Sequence, residues 1–357
     1  MPLIPLYGHA DLRARLQSAI VRQSLPASLL LQGPAGAGKQ RLALSLGRAL
    51  VCDTPAANGD PCEQCQSCRF SRGLTHPDLH WFFPIERPKD ADQTVEEVLA
   101  AYAEFIAERV EHHGLYERPS GEHGLFIATV RAIVQSATKS PAIARRKVFI
   151  VGDAERMVSQ EGSEQAANAF LKLLEEPPAD THVILTSSEA GALLPTIRSR
   201  VVSVRVAPLA ESEVREFLDD ARVRAHLQSS GASDDLIAFA AGAPGRVLIK
   251  DDIENALEEA RRLLDAAASP DAGPRHRAAL SQGGRGARGR FTDTLEALTA
   301  LLHERARSAT RAGASDQALR VASAVDAVER AKEMAMGNVN PQLIAASLLR
   351  QLSGAVR

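Results

Sequence analysis

The sequence has little net charge, few aromatic side chains and no long apolar run. Its 42 Lys and Arg residues against 44 Asp and Glu residues give a formal net charge of -2, which argues against a free-standing nucleic-acid binder while leaving room for local basic patches. Aromatic residues make up 4% of the chain, and the abundance of Ala and Leu favours helices. No apolar run approaches the ~18 residues that a membrane span needs, and the first ten residues lack a signal-peptide pattern. We therefore expect a cytoplasmic protein without a membrane segment.

Cysteine is absent from most of the chain and confined to one stretch, at Cys52, Cys62, Cys65 and Cys68. A disulfide scaffold would spread its cysteines through a small secreted fold, and a redox pair needs two cysteines rather than four. Unreactive buried cysteines would not be packed this densely in a loop rich in Gly, Asn and Asp. The C-x2-C spacings let tight turns aim thiolates at one point, as tetrahedral Zn²⁺ requires. The spacing predicts a structural zinc site, and four thiolates would leave it no open coordination position.

The N-terminal two hundred residues alternate short apolar runs with helical patterns, which predicts an α/β fold with a parallel sheet. We predict helices at residues 10–23, 39–51 and 162–175. The predicted strands lie at residues 29–31, 79–83, 147–151, 182–186 and 201–206. After Pro208 the strand patterns stop, and the remainder is predicted to be helical.

Two segments leave alternatives open. In residues 86–124, apolar positions form one helical stripe, which either covers the domain's own core or docks a partner. Residues 273–290 contain five arginines and no acid. Such a run favours a solvated flexible loop over a DNA contact.

The stretch GPAGAGKQ, residues 33–40, has the spacing of a phosphate-binding loop. Gly33, Gly38 and Lys39 fit the pattern G-x-x-x-x-G-K-[ST], and Gly36 adds a further glycine to the cradle. The loop follows a predicted strand and opens a predicted helix, which is the structural context that the motif needs. Gln40, however, stands where a Ser or Thr hydroxyl would help to hold Mg²⁺.

The acidic strand of a hydrolysing P-loop ATPase is altered as well. The apolar run KVFIV is followed by Gly152 and Asp153, where such an enzyme carries a metal-binding Asp and a catalytic Glu. At both positions, Gln40 and Gly152, a side chain that would help to hold the same Mg²⁺ ion is missing. Together the two changes predict that ATP hydrolysis is lost. The sequence leaves open whether the loop still binds ATP or ADP or is a tight turn that binds no nucleotide.

Longer motifs carry a resemblance to a family. The pieces AANAFLKLLEEPP and LLPTIRSR, within residues 147–200, closely resemble the clamp-loader AAA+ proteins of bacterial replication. The four-cysteine module, HPDLHWF at 76–82 and NVNPQL at 338–343 are also similar to theirs. The likeness covers most of the chain and is weakest across 86–124 and 250–335. The altered loop and acidic strand look like those of delta-prime subunits, whereas gamma/tau motor subunits are expected to keep Ser or Thr and Asp-Glu.

The resemblance implies a three-part architecture. It consists of an α/β AAA+ P-loop core with a parallel sheet, a small helical lid and an all-α collar domain through which five subunits assemble. On this basis we expect the core at residues 1–207, with the zinc module at 52–68. The lid is expected at 208–249 and the collar at 250–357.

The resemblance also implies roles for particular residues. Arg200 in TIRSR corresponds to the arginine finger that reaches into a neighbouring subunit's ATP site, and a guanidinium fork suits the charge of a transferring phosphoryl group. The Cys that follows this arginine in the family is Val201 here. Ser187 and Ser188 lie where the family has a polar sensor at a strand end, and Arg246 lies near its lid sensor.

The implied function is that of a non-hydrolysing delta-prime-like subunit of the DNA polymerase III holoenzyme. It would assemble with gamma/tau and delta subunits in a heteropentamer, and act on the sliding clamp and primer-template DNA through that complex. Two alternatives stay open. One is an ATP-hydrolysing motor subunit of the gamma/tau type, and the other is a zinc-containing AAA+-like adaptor outside the clamp loader.

Overall fold

The chain forms two compact units. The computed structural model describes residues 3–86, 93–115, 123–157, 164–228, 231–249, 253–283, 287–336 and 339–354. The first unit comprises Met1–Gly231 and Gly242–Leu248, and the second comprises Ala232–Ala241 and Ile249–Arg357. Within the described ranges, no helix is long and apolar enough to cross a membrane. The expected division into core, lid and collar at residues 207 and 249 stays a prediction.

The first unit is built on a parallel sheet. Its strands, in chain order, are β1 (Ser28–Gln32), β2 (Leu79–Phe82), β3 (Ile85–Glu86), β4 (His123–Gly124), β5 (Lys147–Val151), β6 (Thr181–Ser187) and β7 (Val202–Arg205). Five of them form the sheet in the order β2-β5-β6-β1-β7, and all of its pairings are parallel. The short strands β3 and β4 pair antiparallel as a separate ribbon. The five predicted strands are therefore confirmed, with ends that differ by at most one residue.

Burial explains why these strands were recognisable in the sequence. All five residues of β5 are buried, as are the first four of β1. Strands of a parallel sheet that are covered on both faces are near-continuous apolar runs. The edge strand β7 differs, since three of its four residues are exposed.

Helices complete the first unit, and one of them settles the alternative left open for residues 86–124. The helices are α1 (Ala10–Val21), α2 (Lys39–Val51), α3 (Gln66–Arg72), α4 (Val95–Glu111), α5 (Ile127–Thr138), α6 (Glu164–Glu175), α7 (Pro195–Arg198), α8 (Glu211–Asp219) and α9 (Ala221–Leu227). In α4, Val98 and Tyr102 are buried, and the Tyr102 hydroxyl donates to the Phe83 carbonyl at 2.7 Å. The stripe therefore covers the core of its own unit. Residues 87–92 and 116–122 of the segment lie outside the described ranges.

The second unit is helical throughout its described part. Its helices are α10 (Asp234–Ala240), α11 (Ile253–Ala268), α12 (Ala272–Leu280), α13 (Ala287–Arg311), α14 (Ser315–Met336) and α15 (Pro341–Leu352). The fully buried side chains of its core include Leu263, Leu264, Leu295, Leu298, Leu302, Val328 and Leu352.

The prediction of a flexible loop at residues 273–290 is wrong for most of that segment. Residues 272–280 form α12, and residues from Ala287 onward belong to α13, while 284–286 lie outside the described ranges. Helix α12 packs against α15, Ala279 is buried, and the Gln342 amide donates to the Leu280 carbonyl at 2.8 Å. Packing within the unit outweighs the local effect of Gly273 and Pro274, and a proline in the first helical turn removes no internal hydrogen bond.

Candidate functional site

The glycine loop joins the central strand β1 to the start of α2. Strand β1 ends at Gln32 and α2 begins at Lys39, so the motif has the strand–loop–helix context that was predicted. Gly36 and Gly38 have φ angles of 82° and 84°. Residues that carry a side chain rarely adopt this left-handed region of φ, whereas glycine adopts it freely. The backbone at these two positions therefore depends on glycine.

The lysine of the loop is engaged by the protein itself. The Lys39 Nζ donates to the Gly33 carbonyl at 2.9 Å, the Pro34 carbonyl at 2.7 Å and the Ser188 Oγ at 3.0 Å. An ammonium group has three N–H donors, and these three oxygens use all of them. A phosphate group at this loop would have to displace them.

Two other segments of the first unit cover the loop. The Gly245 N–H donates to the Gly36 carbonyl at 2.9 Å, and a Cβ added to Gly36 would lie 2.6 Å from the Arg246 backbone nitrogen. The His9 Nε2 lies 2.7 Å from the Ala37 carbonyl oxygen, and Ala37 is fully buried. Other parts of the protein thus cover the backbone of the loop, whereas the backbone of an open phosphate site would be exposed.

Gln40 and Gly152 fit each other. A Cβ added to Gly152 would lie 2.5–2.6 Å from the three terminal atoms of the Gln40 side chain, and Gln40 is buried. The Trp81 Nε1 donates to the Gln40 Oε1 at 2.9 Å. The carboxamide of Gln40 therefore fills the space that a side chain at position 152 would need. The two positions at which the sequence lacks a metal ligand therefore pack directly against each other.

The ends of β5 and β6 supply further polar groups next to the loop. Asp153 adopts a left-handed φ of 47°, and its N–H donates to the Thr186 Oγ1 at 3.1 Å. Of the two predicted sensor serines, Ser188 contacts Lys39, whereas the Ser187 Oγ accepts from the Glu189 N–H at 3.1 Å. Arg246 meets the loop through its backbone. A sensor role for Ser187, Ser188 or Arg246 stays a prediction.

Arg200 makes its contacts elsewhere in the first unit. Its Nε donates to the Glu175 Oε2 at 2.9 Å, and its Nη1 donates to the Thr196 carbonyl at 3.0 Å. The Arg200 side chain is 30% exposed and that of Glu175 is 58% exposed. The contact with Glu175 was missed in the sequence, although Glu175 lies in the motif that carries the family resemblance. Trp81 was also missed, because no sequence pattern links it to Gln40.

The four cysteines come together as predicted and have the geometry of a metal site. Their Sγ atoms all lie within 4.8 Å of one another, with individual separations of 3.5 Å, 3.8 Å and 3.9 Å. A tetrahedron with Zn–S bonds of about 2.3 Å has edges of about 3.8 Å, whereas a disulfide bond is about 2.05 Å long. The separations fit four ligands around one ion and exclude disulfides in this structure.

Backbone geometry at the cysteines favours thiolates. The N–H groups of Cys62, Cys65 and Cys68 donate to the Sγ atoms of Cys52, Cys62 and Cys65 at 3.3 Å, 3.3 Å and 3.4 Å. Hydrogen bonds to a charged form stabilise it. A hydrogen bond with Thr54, together with backbone donors, lowers the pKa of Cys62 to about 6, whereas burial raises the pKa of Cys68. The cluster can hold a metal ion.

The fold and the loop define a class of protein. A parallel sheet in the order β2-β5-β6-β1-β7, with a glycine loop between the inner strand β1 and α2, is an AAA+ P-loop core, as predicted, and it is accompanied by a helical C-terminal part. A sequence model of the family described as "DNA polymerase III, delta subunit" matches residues 8–210. The chain belongs to this family.

Individual relatives agree with the family. The DNA polymerase III subunit delta' of Pseudomonas aeruginosa is 33% identical over 216 residues, which cover 60% of this chain and 52% of the relative. That of Escherichia coli is 28% identical over 221 residues, covering 62% and 53%. The DNA polymerase III subunit gamma/tau of Mycobacterium tuberculosis is 29% identical over 194 residues, covering 54% and 26%. The matched part thus spans about half the length of the delta' relatives.

Proposed function

We propose that the chain is a non-hydrolysing, delta-prime-like subunit of a DNA polymerase III clamp loader. In this role it assembles with gamma/tau and delta subunits in a heteropentamer and supplies Arg200 to the ATP site of a neighbouring motor subunit. It contacts the sliding clamp and primer-template DNA through the assembly. A cytoplasmic location stays a prediction.

The single observation that carries the loss of hydrolysis is the packing of Gln40 against Gly152. A working P-loop ATPase holds Mg²⁺ with a hydroxyl after the loop lysine and an acid on the neighbouring strand. Here the carboxamide of Gln40 occupies the space at position 152 and is bonded to Trp81. The engagement of Lys39 by protein oxygens further supports a loop without a catalytic role.

The role of Arg200 rests on its motif and on its chemistry. The Arg200 side chain is partly exposed, which leaves it accessible to a group on a neighbouring subunit. Arginine is permanently charged, and its fork-shaped guanidinium matches phosphate oxygens. Nearby exposed apolar side chains, Leu194 and Val202, are consistent with a protein surface that is covered on assembly.

We further propose that the four cysteines hold a structural Zn²⁺. Cys52 follows the last residue of α2, and Cys68 lies in α3. The ion would therefore link the end of α2 to α3 and to the loop between these two helices. A bound Zn²⁺ would supply no catalysis here, because four thiolates leave it no open position. Its contribution would be to the folding of residues 52–68.

Nucleotide binding and turnover by the isolated chain test the proposal. We expect no ATP hydrolysis above background, and Lys39→Ala should change nothing in that assay. Calorimetry with ATP or ADP, with and without Mg²⁺, should show no Mg²⁺-dependent gain in affinity. Turnover that disappears in Lys39→Ala would instead establish the gamma/tau-type motor, which the similarity to gamma/tau relatives keeps as the second candidate.

Assembly separates the proposal from an adaptor outside the clamp loader. Size-exclusion chromatography of this chain mixed with gamma/tau and delta subunits of the same organism should give one stable complex. Absence of such a complex would favour the adaptor. Within the complex, Arg200→Ala should leave assembly intact and slow ATP turnover.

A further inference from the structure

One carboxylate holds the proposed finger in place. Glu175 is the last residue of α6, and its Oε2 accepts from the Arg200 Nε at 2.9 Å. The Thr196 carbonyl accepts from Nη1 at 3.0 Å. The guanidinium of Arg200 is therefore tethered from two directions, by the end of α6 and by α7.

The tether leaves one terminal nitrogen of the guanidinium for another ligand. Arginine has one donor on Nε and two on each terminal nitrogen. In the part of the chain that the structure describes, the hydrogen bonds of Arg200 use Nε and Nη1, with Ser199 Oγ a distant second acceptor of Nη1 at 3.5 Å. Nη2 makes none, so its two donors can meet the oxygens of a phosphate.

Glu175 is poorly explained as a stabilising residue. A carboxylate at the C-terminal end of a helix opposes the helix dipole. An ion pair between an exposed and a partly exposed side chain contributes little to stability. The position of Glu175 is nevertheless well defined, because Leu174 beside it is buried and α6 packs against α7. Pro177 and Pro178 follow and prevent the helix from continuing. The residue has a fixed place but no evident part in folding.

We propose that Glu175 is a positioning residue that fixes the guanidinium of Arg200 for its action in a neighbouring ATP site. The inference rests on the proposed function. A long arginine side chain loses rotamer freedom when it binds, which costs conformational entropy. A contact that already fixes the side chain before binding lowers this entropic cost and sets the geometry of the guanidinium. In the neighbouring site, water adds to the γ-phosphorus and the bond from that phosphorus to the ADP oxygen breaks. One proton of the water stays on the released phosphate, and the other passes to solvent. Arg200 adds only positive charge to this step.

The adjacent residue offers a matched control. Glu176 has the same charge and is also exposed, and its backbone N–H donates to the Lys172 carbonyl. Among the described residues its carboxylate has no hydrogen-bond or ion-pair partner. Glu175→Gln and Glu176→Gln therefore remove the same charge from neighbouring positions, and only the first removes it from Arg200.

The test is steady-state ATP turnover of the complex assembled with gamma/tau and delta subunits, using the full chain. We expect Glu175→Gln to lower kcat about threefold to tenfold with little change in KM, as a misplaced catalytic group does. Glu176→Gln should match the wild type, and Glu175→Asp should recover part of the loss. Arg200→Ala should lower turnover more, and adding Glu175→Gln to it should have no further effect. Size-exclusion profiles and unfolding temperatures should stay unchanged.

The outcomes separate the inference from the function on which it rests. If Arg200→Ala leaves turnover unchanged, the finger role fails and the inference with it. If Arg200→Ala slows turnover but Glu175→Gln behaves like Glu176→Gln, only the positioning role is overturned. A further loss from Glu175→Gln in the Arg200→Ala background, or a faster complex with Glu175→Gln alone, would also overturn it.

Discussion

The packing of Gln40 against Gly152 predicts a strong energetic coupling between these two positions. In Gly152→Ala, the new methyl group would lie 2.5–2.6 Å from the end of the Gln40 side chain, so the carboxamide has to move. That movement breaks the hydrogen bond from the Trp81 Nε1 at 2.9 Å. Displacing a buried hydrogen-bonded group costs about 1–3 kcal/mol, which is the expected loss in the free energy of unfolding.

The same substitution should cost almost nothing in a Gln40→Thr background. Threonine is too short to reach Trp81, so Gln40→Thr on its own already removes the hydrogen bond. It also removes the atoms with which the methyl group collides. Replacing Gly by Ala where the backbone allows it stabilises by about 0.4–1 kcal/mol. The double-mutant cycle should therefore give a coupling energy of about 1–3 kcal/mol, within the range found for residues in contact.

The sequence provides a local probe for this measurement. Trp81 is the single tryptophan of the chain and lies at the site, so its fluorescence during urea unfolding reports on the first unit. Gly191→Ala is the control, because a Cβ at Gly191 meets nothing within 4 Å, and it should be neutral in both backgrounds. Equal costs of Gly152→Ala in the wild-type and Gln40→Thr backgrounds would refute the steric argument.

Two further predictions concern the cysteine cluster and a half-buried histidine. Cys65→Ser, or chelation of the wild type, should reduce bound zinc from one equivalent to near zero by elemental analysis and expose residues 52–68 to protease; retention of zinc would contradict a four-cysteine site. Burial lowers the pKa of His80 to about 4, so the unfolded chain, with an ordinary pKa near ~6.5, takes up the proton first as pH falls. Stability should therefore decline between pH 6.5 and 4, by up to about 3 kcal/mol from this group. His80→Phe, which can keep the stacking on Phe149 at 4.9 Å, should flatten that decline relative to wild type in urea titrations, and parallel pH profiles would argue against it.

The sequence predicted best those elements whose signal is local. The inner strands are continuous apolar runs because both of their faces are buried, and α2 follows directly from the glycine loop. The ribbon of β3 and β4 was not predicted, since each strand has only two residues. Helix α12 was predicted as a loop because Gly, Pro and Arg dominate its sequence, whereas its contacts with α15 decide its structure.

The site divides in the same way. The cysteine cluster and the glycine loop have short, regular spacings. The structure brings the four cysteines together and forms the loop between β1 and α2, while the binding roles of both stay predictions. The contact between Gln40 and Gly152 joins positions more than a hundred residues apart, and it forms because the end of β5 lies beside the start of α2. The sequence revealed both substitutions but not that one side chain fills the space left by the other. Likewise, the pairing of Arg200 with Glu175 depends on how α6 and α7 pack.

The meeting of Gly36 with Gly245 has a mechanical consequence. A Cβ on Gly245 would lie 2.9 Å from the Gly36 Cα, so two stretches of main chain touch with no side chain between them. Side chains in contact can accommodate small displacements by changing rotamer, but two backbones in direct contact cannot adjust in this way. We therefore expect a displacement of the glycine loop to shift residues 243–246 with it, because the Gly245 N–H also donates to the Gly36 carbonyl.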